Sequence, residues 1–383
     1  MFETTIKSFF SRFLVRTHID WALFVSACLL VCFGLVTMNS FSGDNFYYEK
    51  QLTWFLVSIF VFMGASFVDW SFLKKTNVLV VLFVATCSIL LLLFFVAQTI
   101  KGAQSWLDFG LFSFQPTDPA KFVLILILAK YFSRRHVEIA NIRHIIVSGL
   151  YAFFLFTLVV LQPDFGGAVI IACVWGGMTL VSGISKKHLG LLAVLAVVSF
   201  GLMWNFGFKE YQKARILNFI HPFADIQGTG YNAYQSTIAV GSGELLGKGI
   251  GYGTQSKLKF LPEYETDFIF AAFAEEWGFI GVLFLLATFS VLIFRIVSCA
   301  LRGAGNFEIL VSLGVAILFM SHFFINVAMN MGLLPVTGIT LPFVSYGGSH
   351  LVTSFFILGV LVSMKKNSRS VHKDLAKNEI VGM

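Results

Sequence analysis

Long apolar runs, separated by short polar or basic turns, set the pattern of this chain. Ten stretches read as membrane spans: residues 20–38, 52–68, 77–97, 119–132, 144–161, 165–183, 189–206, 268–294, 308–329 and 351–364. A helix needs about 20 mostly apolar residues to cross the hydrocarbon core. The fourth and tenth stretches are short by that measure, so they are expected to extend into flanking polar residues or to be tilted. The pattern predicts an all-α polytopic membrane protein, a single domain over 1–383 with about ten transmembrane helices. Ahead of the first run, Phe2, Ile6, Phe9, Phe10 and Phe13 share one helical side with Lys7, Arg12 and Arg16 interspersed. That arrangement predicts a short interfacial helix over 1–16.

Composition sharpens the picture. The chain is 57% hydrophobic and 12% charged. Soluble domains carry roughly 25% charged residues, so soluble enzymes, nucleic-acid binders, disordered chains and disulfide scaffolds are excluded. The net charge of +7 matters through its placement. With an even number of spans, both ends fall on the cytoplasmic side, and every inner loop is then basic, as the positive-inside rule requires. Residues 365–383 become a basic cytoplasmic tail. The five cysteines lie in or beside apolar runs and read as packing residues.

The opposite, outer face carries the specific polar chemistry. Residues 207–267, between spans seven and eight, are rich in Gly, Gln, Ser and Lys. A structureless loop of that length is uncommon, so a folded extracytoplasmic loop is expected. It holds Lys209, Lys213, Arg215, Lys248, Lys257 and Lys259, against the positive-inside trend. These cations fit an anionic ligand or anionic lipid headgroups. Asp118 and Lys121 open span four, and Asp164 sits in the turn between spans five and six. Charge at membrane depth is costly unless paired, so Lys121 is expected to pair with Asp118 or Asp164, either as a packing ion pair or as a cavity wall. Thr266 could cap span eight with Asp267 in its first turn, where the helix dipole favours a carboxylate. Glu275 and Glu276, deeper in that span, are expected to hydrogen-bond between helices.

Four segments together resemble the SEDS family (shape, elongation, division and sporulation). They are Gly102–Trp106 with Phe114-Gln115-Pro116; Gln162-Pro163-Asp164-Phe165-Gly166; Gly253–Ser256 through Leu261-Pro262-Glu263 and Thr266–Ala271; and Gly332–Gly338 with Leu341–Ser349. Gln162 and the Gly-Thr-Gln-Ser run are more similar to the RodA branch than to the FtsW branch. The resemblance implies a peptidoglycan glycosyltransferase that polymerises lipid II at the outer face of the cytoplasmic membrane, for elongation and rod shape. It implies a class B penicillin-binding transpeptidase and other elongation-complex membrane proteins as partners, and no nucleic acid. Asp267 matches the family's essential aspartate, Trp106 its outer-loop tryptophan, and Lys121 and Asp164 its buried cavity charges. The chain departs from the family pattern at Asp118, Gly167, Glu265, Thr340 and His350.

Chain extension on this reading is one displacement with inversion. An acceptor 4-hydroxyl attacks the donor anomeric carbon, and undecaprenyl pyrophosphate leaves. The step needs a base and positive charge for the leaving group. Asp267 is the candidate base. Trp106, Lys121, Asp164, Arg215, Gln235, Lys248 and Glu263 are the candidate substrate contacts. A divalent cation such as Mg²⁺ or Mn²⁺ would share the pyrophosphate charge, although no ligand cluster in the sequence demands one. A lipid II flippase, a division-specific polymerase and a structural scaffold are the competing readings.

Overall fold

The computed structural model describes residues 19–41, 46–96, 105–110, 112–134, 142–222, 225, 228, 230–258, 260–301, 303 and 305–381. The interfacial helix expected over 1–16, Lys259 and the Gly102–Gln104 part of the first motif lie outside them. So do the side chains beyond Lys366.

The described chain is almost entirely helical: α1 Trp21–Ser40, α2 Phe46–Phe67, α3 Thr76–Val96, α4 Thr117–Ser133, α5 Ile142–Leu161, α6 Phe165–Val181, α7 Lys186–Leu202, α8 Glu210–Ile220, α9 Tyr231–Ser242, α10 Thr254–Lys257, α11 Ile269–Ala300, α12 Asn306–Asn330 and α13 Gly348–Val381. A two-residue hairpin, β1 Leu107–Asp108 with β2 Ser113–Phe114, precedes α4. Among the described residues, eight helices are long and apolar enough to span a membrane, and α6 is a shorter apolar one. The exterior is that of a protein in lipid: Phe95 is 88% exposed and Phe206 87%, which hydrocarbon tolerates and water does not.

The tenth stretch is not short. α13 carries its membrane portion over Gly348–Lys366 and continues to Val381. α4 is short, 17 residues, because it is the centre of the bundle. Its faces are covered by α3, α5, α6, α12 and α13, and 13 of its residues are buried. Pro119 in its first turn replaces a backbone donor that a helix start leaves unpaired anyway. α7 is the opposite case, with no buried residue in its membrane window.

The bundle is clamped at the end remote from residues 207–267. Asp20 caps α1 through Leu23 N at 3.3 Å. The same carboxylate accepts from Arg295 of α11 at 2.6 Å and Lys365 of α13 at 2.6 Å. Lys74 pairs with Glu308 at the start of α12. Residues 207–267 are folded where described: α8, α9 and α10 lie within them, and α9 packs on α11 and α12.

Candidate functional site

The entry into α11 is built by a turn. Glu263 takes a left-handed conformation, φ 53°, and its carbonyl accepts from Thr266 N and Phe268 N, both at 3.1 Å. The Thr266 hydroxyl donates to Glu263 Oε2 at 3.1 Å. That turn takes up Thr266, so the expected cap does not form. Helix α11 begins at Ile269 with Phe268 at the cap position and no side-chain cap bond. Asp267 therefore precedes the helix instead of lying in its first turn.

Three successive carbonyls of this segment are each held by another element. Tyr346 N donates to Glu265 O at 2.8 Å. Ser345 Oγ donates to Thr266 O at 2.6 Å. Asn326 Nδ2 and Asn330 Nδ2 of α12 donate to Asp267 O at 2.9 and 3.0 Å. Burial and the neighbouring Glu265, which also hydrogen-bonds it, keep the Tyr264 hydroxyl protonated well above its usual range. Glu265 thus has a partner on the side of Tyr264.

The stretch Val336–Ile339 runs between these groups. Arg215 Nη1 of α8 donates to Val336 O at 3.3 Å. Gly338 sits at φ 73°, and a Cβ there would lie 3.6 Å from Asp267 Oδ2. A Cβ on Gly166 at the start of α6 would lie 2.8 Å from Thr337 O. One irregular segment, Val336–Ile339, thus borders an exposed guanidinium, the Asp267 carboxylate and the Asp164–Gly166 turn.

Behind it lies a buried polar cluster. Lys121 Nζ is 3.0 Å from Asp118 Oδ1, with both side chains at most 5% exposed. Lys121 therefore pairs with Asp118. Asp164 instead caps α6 through Gly167 N at 2.8 Å and accepts from Gln115 Nε2 at 3.2 Å. Two histidines complete the group. His322 Nε2 is 3.3 Å from Lys121 Nζ, His350 Nδ1 is 3.4 Å from Asp118 Oδ1, and their rings stack at 5.0 Å. His322 was not a candidate from the sequence, where its only signal is a lone ionisable group in an apolar run; His350 stood out only as a departure from the family pattern.

Glu275 and Glu276 bind mostly a loop, not helices. Glu275 Oε1 accepts from Lys248 Nζ at 2.7 Å, Thr254 N at 2.9 Å and Thr254 Oγ1 at 3.0 Å. Glu276 Oε1 accepts from Ser40 Oγ of α1 at 2.5 Å and Gly251 N at 3.1 Å. Gly278 breaks the helical backbone here, at φ 64° and ψ −169°. The loop fills the break: Lys248 N and Gly249 N donate to Glu275 O and Glu276 O, while Phe279 N and Ile280 N donate to Glu244 O and Leu245 O.

The remaining candidates are more scattered. Trp106 is half-buried just before β1, and Gln235 is half-buried on α9. Among the described residues, no three His, Cys, Asp or Glu side chains group as metal ligands.

The family model described as "Cell cycle protein" (FtsW, RodA, SpoVE) matches residues 16–370. The chain belongs to this family. It is 38% identical over 275 residues to "Peptidoglycan glycosyltransferase MrdB" of Escherichia coli (strain K12), covering 72% of this chain and 74% of that protein. It is 33% identical to "Stage V sporulation protein E" of Bacillus subtilis (strain 168) over 92% of this chain and 99% of that one. Among solved structures, it is similar to a chain described under "Structural coordination of polymerization and crosslinking by a peptidoglycan synthase complex". There the TM-score is 0.77 at 28% identity, covering 91% of this chain and 98% of that one. Thermus thermophilus rod shape determining protein RodA aligns with TM-score 0.69 at 26% identity, over 91% of this chain and 97% of that one. As a member of the FtsW/RodA/SpoVE family, the chain is a multi-pass membrane protein.

Proposed function

We propose that this FtsW/RodA/SpoVE family member is a peptidoglycan glycosyltransferase that polymerises lipid II at the outer face of the cytoplasmic membrane. Both termini are cytoplasmic on this reading. The observation that carries it is that one backbone segment, Val336–Ile339, borders both Arg215 and Asp267. Arg215 binds Val336 O, and Gly338, two residues on, borders the Asp267 carboxylate. Two residues of chain reach at most about 7 Å, so a cation and a candidate base border neighbouring positions of one segment. Asp267 takes the proton from the acceptor 4-hydroxyl as its oxygen attacks the donor anomeric carbon. The bond to undecaprenyl pyrophosphate breaks, and Arg215 offsets the charge that develops on the leaving group. Lys121 and Asp118 act behind this segment, as a buried pair that sets the position of α4 against α12 and α13.

The relatives' names support the polymerase activity, and the synthase-complex structure supports a class B penicillin-binding transpeptidase as partner. We assign the elongation role on the Gly253–Ser256 run and Gln162. Gln162 is fully buried with Nε2 donating to Leu90 O at 2.7 Å, so it acts on helix packing and the role needs a cellular test. Complementation of an elongation-synthase depletion, but not of a division-synthase depletion, is the expected result. For the activity, purified protein is given labelled lipid II in detergent. A ladder of glycan polymer is expected, whereas lipid II translocation in vesicles without polymer would assign a flippase instead.

A further inference from the structure

Asn326 and Asn330 stand one turn apart on α12, and both are fully buried. A buried carboxamide is costly unless its donors and acceptor are all used. Here three of those bonds go to the start of α11, and Asn330 Nδ2 also donates to Asn326 O at 2.9 Å. Both Nδ2 groups donate to Asp267 O, at 2.9 and 3.0 Å. Asn326 Nδ2 also donates to Ile339 O at 2.7 Å. Asn330 Oδ1 accepts from Ala271 N at 3.2 Å and from Ser236 Oγ at 3.2 Å.

Ala271 N, in the first turn of α11, donates to Phe268 O at 3.1 Å and is shared with Asn330 Oδ1. The Phe268 ring at the cap position offers no acceptor of its own. Asn330 therefore caps α11 from a neighbouring helix, binding the chain on both sides of that start. Asn326 ties the same carbonyl to Ile339, on the segment that borders the Asp267 carboxylate. Asp267 O lies in the peptide plane after its Cα and Thr266 O, held by Ser345 Oγ at 2.6 Å, in the plane before it; with both planes held, the direction of the Asp267 Cα–Cβ bond is set.

We infer that Asn326 and Asn330 are positioning residues that aim the Asp267 carboxylate at the reacting hydroxyl. This rests on Asp267 serving as the base. Misplacing a reacting group by about 1 Å can cost on the order of 100-fold in rate. The effect should fall on the chemical step, because neither carboxamide is exposed to substrate.

The test is a rate cycle on purified, monodisperse protein, with kcat and KM for lipid II polymerisation normalised to folded protein. Asn326→Ser and Asn330→Ser shorten the clamp. Asn326→Asp keeps the shape and removes the donors, so it serves if a serine variant fails to fold. In the native background each variant should lower kcat roughly 10- to 100-fold with KM within about twofold. In the Asp267→Asn background the same substitutions should change the residual rate less than about twofold, since there is no carboxylate left to aim. Equal losses in both backgrounds, or native kcat in any folded single variant, would overturn the inference. A native rate for Asp267→Asn itself would instead overturn the base assignment, so the two failures are separable.

Discussion

Lys248 Nζ lies 2.7 Å from Glu275 Oε1, with the glutamate side chain fully buried and the lysine 30% exposed. The pair fastens the loop 244–258 to the break in α11. Glu275 is the more committed partner, because it also accepts from Thr254 N and Gln255 N. Glu275→Gln would turn an amide donor toward these donors. The expected loss is roughly 2–4 kcal/mol, read as a lower melting temperature in detergent. Lys248→Met leaves the buried Glu275 without its counter-charge but still bonded to Thr254 and Gln255, so it should cost roughly 1–3 kcal/mol. If Lys248→Met abolishes polymer at native melting temperature, Lys248 contacts substrate directly.

Gly278 is fixed by its backbone and its neighbours. Its φ of 64° with ψ −169° is a region that essentially only glycine occupies, and a Cβ would lie 2.7 Å from Leu245 O. Gly278→Ala should cost more than about 3 kcal/mol and release the loop. Limited proteolysis should then cut within 244–258, where the native protein resists. Unchanged resistance would mean the loop is held without the break.

How much of this was legible follows from what each residue reveals without its neighbours. Spans announce themselves by apolar length, and so α1, α2, α3, α5 and α12 fall close to their expected positions. Asp118 and Lys121 stood out because charge in an apolar run is costly; the sequence left the partner of Lys121 open between Asp118 and Asp164, and the structure pairs it with Asp118 at i, i+3 on the helix. The cap on α11 could not be read, because the side chain that supplies it comes from Asn330, 59 residues away from Ala271. Local spacing favoured Thr266, and only the left-handed turn at Glu263 shows why that hydroxyl is taken. The partners of Glu275 were misread for a similar reason. A carboxylate inside a span suggests helix–helix bonding, whereas a loop enters at a glycine break that sequence spacing does not mark.

Lys121→Ala should reduce both yield and activity. It leaves Asp118 buried with its counter-charge gone, and breaking such a pair costs roughly 3–5 kcal/mol. Size-exclusion profiles and thermal melts in detergent provide the check. A native melt with native polymer yield would mean that Lys121 reaches water and that the pair is dispensable.

The Asp20 clamp carries a pH signature. Burial acts to raise the Asp20 carboxyl, but hydrogen bonds and charge from Lys365 and Arg295 outweigh it and hold it below the ordinary value of 3.8. A depressed folded-state value means stability that is full above the unfolded value and is lost as pH falls through the folded one. Asp20→Asn should therefore lower the melting temperature at pH 7. The gap to the native protein should persist down to about pH 4 and narrow only below it. A gap that closes by pH 6 would place the effect elsewhere.

The central claim is that the Asp267 carboxylate acts as the base, and Asn at that position tests it with little change of shape. The backbone bonds to Asp267 O survive the substitution, so stability should be unchanged. Glu265, two residues before Asp267 in the chain, is a carboxylate that could take over, and Glu265→Gln combined with Asp267→Asn removes it. The decisive measurement is the initial rate of lipid II polymerisation by the purified, monodisperse double variant at native melting temperature. The account predicts a fall of roughly 100-fold or more, whereas a rate within a few-fold of the native enzyme would contradict it and leave Asp267 a structural residue.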